Sequence, residues 1–130
     1  MISLLFLATK FYTIKAISEK DFYYVLAYSW TSEFCNENNN VYPGYQNPEN
    51  YWMNYFTLHG LWEQYYDSGY PSYCSNEKFN ENVPEEIGLS TMVEYWPNVK
   101  ETEGSENYDD FWAHEWEKHG SCVWTPMSEY

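Results

Sequence analysis

Hydrophobic positions follow two periods along this chain. Over residues 22–30 both alternating sets are apolar, with Phe22, Tyr24, Leu26, Tyr28 and Trp30 on one side and Tyr23, Val25 and Ala27 on the other. A strand with two apolar faces belongs inside a fold, so the segment predicts an interior strand. Residues 56–62, FTLHGLW, alternate Phe56 and Leu58 with Thr57 and His59. That is the period of a half-buried strand, here ending on His59, and Gly60 lets the chain turn sharply after it. From residue 84 to 96 the period changes: Ile87, Leu89, Met92, Val93 and Trp96 recur near helical spacing and Pro97 stops the run, which predicts a core helix without chemistry. Residues 36–50, rich in Asn with Pro43, Gly44 and Pro48, read as a loop. So do residues 62–72, crowded with tyrosines, and the acidic stretch 100–110, which reads as a solvated connection. No repeat or second domain is visible, and 130 residues suffice for one core.

Residues 111–122, FWAHEWEKHGSC, predict a further helix, with Asp109 or Asp110 to cap its first turn and Gly120 to leave it. Ala113 and Trp116 fall on the side that can dock on a core. With His114 at zero on an ideal helix, Lys118 lies at about 40°, Glu115 at about 100° and His119 at about 140°, so all four can face one cleft. His59, the third histidine, lies in the other compact motif. A solvated helix face laced by Glu115 with Lys118 and His119 at i+3 and i+4 would explain the helix alone. It does not explain the second histidine motif.

Charge narrows the partners. Twenty acidic against six basic residues give a formal net charge of -14, which speaks against a protein that coats DNA or another polyanion broadly. A local cationic pocket for one or two phosphates remains compatible, above all at acid pH where histidines charge. Aromatics make up 22% of the chain, more than a core of this size needs, and Tyr or Trp in a groove can stack on bases or sugars. Three cysteines leave at least one without a partner in the chain unless all are reduced. Residues 1–17 are apolar, a signal-peptide candidate interrupted by Lys10 and Lys15 and too short for a transmembrane helix.

The two histidine motifs, in this order, resemble the active-site segments of the T2 ribonucleases. Residues 23–35, YYVLAYSWTSEFC, and Tyr95 to Pro97 add to the likeness, which runs from about Asp21 to the last residues. The resemblance implies an α+β fold, an antiparallel sheet with helices packed against it, with residues 21–130 as a partial catalytic domain whose C-terminal part is missing. It implies His119 as base and His59 as acid, Lys118 and Glu115 supporting the transition state, His114 binding phosphate, and Trp62 and Tyr70 holding a base. It pairs Cys74 with Cys122 and leaves Cys35 without its mate. Glu63 and Gln64 depart from the family's usual residues, which leaves base preference open.

The chemistry that the resemblance implies is economical. RNA carries its own nucleophile, the 2′-hydroxyl, so cleavage needs a base, an acid and positive charge for the phosphorane-like transition state. The expectation is a monomeric endoribonuclease of single-stranded RNA that gives a 2′,3′-cyclic phosphate, with no metal or other cofactor and no DNA or membrane partner. Secretion, or residence in a lysosome or vacuole, would suit it. Two alternatives stand beside it: a metal site of three histidines, disfavoured by the i, i+5 spacing of His114 and His119, and an inactive relative that binds RNA or carbohydrate through its aromatics.

Overall fold

A computed structural model describes residues 21–37 and 42–123; the signal-peptide candidate at 1–17 lies outside them. Strand β1 (Phe22–Ser29) leads into helix α1 (Thr31–Glu37), a short 3-10 turn (Pro43–Tyr45) and helix α2 (Asn50–Asn54). Strand β2 (Thr57–Tyr65) returns antiparallel to β1, and helices α3 (Val83–Ile87), α4 (Leu89–Tyr95) and α5 (Asp110–Lys118) follow. A last 3-10 turn covers Gly120–Cys122. The architecture is the expected α+β arrangement of an antiparallel sheet with helices.

Tryptophan indoles tie this architecture together. Trp112 is completely buried at the centre of a cluster with Cys35, Trp52, Met92, Val93, Val99 and Tyr108. Its Nε1 donates to the carbonyl of Trp96 at 2.8 Å, while Trp96 Nε1 donates to the carbonyl of His59 at 2.9 Å. Trp52 Nε1 is shared between the carbonyls of Val93 and Glu94. Each of these three rings thus brings its one polar atom to a backbone acceptor, which removes the cost of burying it.

Several expectations change. Strand β1 is not interior: Phe22, Tyr24, Leu26 and Tyr28 are 39–56% exposed, because the sheet has two strands and no described layer lies over that face. Strand β2 does not end at His59 but runs on to Tyr65, so residues 62–65 are strand rather than loop. At His59 the ladder is irregular, since Ala27 faces Gly60 whereas Tyr28 faces Leu58. His59 is therefore the extra residue of a β-bulge, a device that re-aims a side chain. The helix expected over 84–96 is two helices, broken at Gly88, whose φ of 109° is strained for any side chain. The acidic stretch 100–110 is more than a solvated connection, since Tyr108 is buried in the core and its carbonyl accepts from Asn98 Nδ2 at 2.9 Å. Helices α1 and α2 were not visible in the sequence pattern. Asp109 occupies the N-cap of α5 without a side-chain cap hydrogen bond.

Cys74 and Cys122 form a disulfide with Cα atoms 4.9 Å apart, closing the chain between β2 and the end of α5. Beside it, Tyr73 N donates to the carbonyl of Lys118 at 3.0 Å and Cys74 N to Ser121 Oγ at 3.2 Å. Cys35 is a buried free thiol whose pKa burial pushes up to about 11. Among the described residues no helix is long and apolar enough to cross a membrane.

Candidate active site

From helix α5 the Glu115 side chain reaches the backbone of β2 at Gly60. A Cβ on Gly60 would collide with the Glu115 carboxylate and with Trp62 Nε1. Only a glycine lets the helix carboxylate settle onto the strand backbone. There Glu115, 6% exposed, receives a hydrogen bond from Trp62 Nε1 on Oε2 at 2.7 Å, and its Oε1 lies 3.7 Å from His59 Nε2. The bulge turns the His59 ring towards this side, and Ser29 Oγ meets its Nδ1 at 3.1 Å from the facing strand. Phe111, from the first turn of α5, sets its edge against the same imidazole with centroids 5.5 Å apart.

The Trp62 indole contacts both principal imidazoles. Its centroid is 5.4 Å from that of His59, in T-shaped contact, and 5.1 Å from that of His119, tilted by 31°. His119 is not in the helix proper but is its C-cap, held by a hydrogen bond from its N–H to the carbonyl of Glu115 at 3.0 Å. The ring is 8% exposed, with Nδ1 buried and without a described partner. Burial lowers its pKa below the ordinary 6.5; Glu115 opposes that shift, and Lys118, His114 and His59 add to it. At His119, therefore, desolvation outweighs the Glu115 carboxylate. Tyr70, 51% exposed, stands at 6.0 Å from His119 on the outer side.

A cavity of about 480 Å³ adjoins His59. Its lining includes Ser29, His59, Pro97, Lys100, Phe111 and His114. The structure thus gathers His59, Glu115, His119, Trp62 and Tyr70 by direct contact, and places His114 in the adjoining cavity. Lys118 is close enough for its charge to act on His119. Ser29, Phe111 and Lys100 did not emerge from the sequence. Phe111 opens the second motif and could have been noticed, whereas Ser29 and Lys100 carry no local signal. Among the described residues no group of three His, Cys, Asp or Glu side chains could hold a metal ion.

Comparison with known proteins gives a consistent result. Residues 21–130 match the Ribonuclease T2 family. Ribonuclease 1 of Arabidopsis thaliana is 34% identical over 94% of this chain and 51% of its own length. Extracellular ribonuclease LE of Solanum lycopersicum is 32% identical over 85% of this chain and 45% of its own. Among solved structures, RNase NT in complex with 5′-AMP superposes with a TM-score of 0.61 at 30% identity, covering 81% of this chain and 49% of that one. Ribonuclease MC1 from bitter gourd seeds gives 0.58 at 26% identity, covering 80% and 48%. The chain spans about half the length of these relatives.

Proposed function

Since this chain belongs to the ribonuclease T2 family, we propose that it cleaves single-stranded RNA by acid–base transphosphorylation. In the proposed step His119 takes the 2′-hydroxyl proton, the 2′-oxygen attacks phosphorus, and the P–O5′ bond breaks. The leaving 5′-oxygen takes a proton from His59 and departs as a 5′-hydroxyl on the 3′ fragment, while the 5′ fragment ends in a 2′,3′-cyclic phosphate. The observation that carries this reading is that one indole, Trp62, contacts both His59 and His119 while its Nε1 holds the Glu115 carboxylate.

The two histidines suit different halves of the task. Burial holds His119 neutral to lower pH than an ordinary imidazole, the state a base requires. The His59 side chain is 42% exposed, open to a leaving group, and its Nε2 lies 3.7 Å from the Glu115 carboxylate. Lys118 supplies positive charge where negative charge builds up on the phosphate, and His114, at the adjoining cavity, binds a phosphate oxygen. Glu115 does not meet the phosphate as a bare anion, since one of its oxygens is occupied by Trp62 Nε1. RNA would extend from this centre into the cavity beside His59, and a base would rest against the exposed Tyr70. DNA lacks the nucleophile and is not cut. The disulfide fits an oxidising compartment, whether outside the cell or in a vacuole or lysosome.

The test is incubation of the purified protein with an RNA oligonucleotide and its DNA counterpart at mildly acid pH in EDTA. The proposal expects loss of the RNA alone, with cyclic phosphate ends. No cleavage by folded protein would overturn it in favour of a binding role, and dependence on a metal would overturn the acid–base mechanism.

A further inference from the structure

His59 is the bulged residue of β2, so the ladder that aligns its neighbours does not by itself set the direction of its ring. Its carbonyl is held from below by Trp96 Nε1. Its ring has one hydrogen-bonding neighbour, Ser29 Oγ at 3.1 Å from Nδ1, while Glu115 Oε1 stands 3.7 Å from Nε2, a charge contact too long for a hydrogen bond. Ser29 is itself fixed. It closes β1 opposite Thr57, whose Oγ1 reaches the Ser29 carbonyl at 3.5 Å and the hydroxyl of Thr31 at 2.7 Å, and both threonines are 2% exposed.

We propose that Ser29 is a positioning residue that holds His59 with its proton on Nδ1, so that Nε2 is the atom that gives and takes a proton in the groove. The serine oxygen accepts Nδ1–H whether the ring is neutral or charged, so the contact survives both halves of a proton-transfer cycle. A carboxylate in that place would bias the ring towards the charged form, whereas a hydroxyl orients it with little bias. This rests on the proposed role of His59, but the placement of the proton can be measured without activity.

The experiment is nitrogen-15 NMR of the histidine rings in the full chain, at a pH where His59 is neutral, for wild type, Ser29→Ala and Ser29→Thr. The expected result is a predominant Nδ1–H form in wild type and in Ser29→Thr. Ser29→Ala should shift to the Nε2–H form that free imidazole side chains favour. With a dinucleotide substrate, Ser29→Ala should lower kcat about tenfold, a part of the ~10²–10⁴-fold that a positioned acid or base supplies, with KM little changed and Ser29→Thr restoring the rate. A wild-type ring already in the Nε2–H form, or a Ser29→Ala ring unchanged in tautomer, overturns the assignment. A protein that cuts no RNA yet shows the tautomer shift refutes the proposed function and leaves Ser29's role intact.

Discussion

Trp62 and Glu115 are joined by a 2.7 Å hydrogen bond from indole Nε1 to carboxylate Oε2, across 53 residues of sequence. The pairing gives Trp62 a task beyond the base stacking that its place in the motif implies. It clamps the carboxylate that lies beside His59. A hydrogen bond to a charged group is worth about 1.5–3 kcal/mol, so Trp62→Phe, which keeps an aromatic face and loses the donor, should lower kcat/KM by about 10- to 100-fold. Steady-state kinetics on a dinucleotide checks this. A variant as active as wild type would leave stacking as the only function of the ring.

Acid should weaken the fold through His119. Its folded-state pKa lies below 6.5, so the unfolded chain binds the proton more tightly. The stability this imidazole allows is complete above 6.5 and is lost as the pH falls from there through the lowered folded value. Urea unfolding of wild type and His119→Asn between about pH 7 and about pH 5 should show a steeper loss for wild type. The acid limb of kcat/KM should likewise lie below 6.5, because the proposed base stays neutral there.

Gly60→Ala should damage the site more than its size suggests. The added methyl meets the Glu115 carboxylate and the Trp62 indole, so either β2 retreats from α5 or the carboxylate is displaced. Displacements of ~1 Å in such a centre cost about 100-fold in rate. Kinetics together with near-ultraviolet circular dichroism of the tryptophans would register both consequences, and wild-type values in each would refute the close packing.

Reduction should loosen the region around His119. The Cys74–Cys122 bridge closes a span of 48 residues and ends three residues beyond that imidazole. By the loop-entropy relation such a bridge contributes about 4 kcal/mol, which corresponds to a fall in Tm on the order of 10–20 °C. Thermal unfolding with and without dithiothreitol measures it. Cys35, buried and holding its proton, should react slowly with thiol reagents until the fold opens.

The candidate site was legible in the sequence because it is written in short, contiguous motifs. FTLHGLW and FWAHEWEKHGSC carry His59, Trp62, His114, Glu115, Lys118 and His119 at spacings that no packing argument requires. What the sequence concealed depends on partners distant along the chain. The bulge at His59 exists only relative to Ala27 and Tyr28, and the true use of Gly60 appears only when the Glu115 carboxylate of α5 is set against it. Ser29 looks like any strand-end serine until His59 is placed opposite. Gly88 broke an apparently continuous helical period by adopting a φ of 109°. The aromatic alternation of β1 was read as burial, yet tyrosine tolerates water at its hydroxyl end, and the pattern alone cannot distinguish a covered face from a wet one.

That wet face governs how the protein should behave at high concentration. Phe22, Leu26, Tyr28 and Leu61 present a sticky aromatic and aliphatic plane, while a net charge of -14 keeps neighbouring molecules apart. The repulsion is long-ranged and screened by salt; the attraction is short-ranged and is not. Added electrolyte, or acid that neutralises the carboxylates, should therefore drive self-association, and the conditions proposed for catalysis are also those in which the molecule is least protected from its own surface.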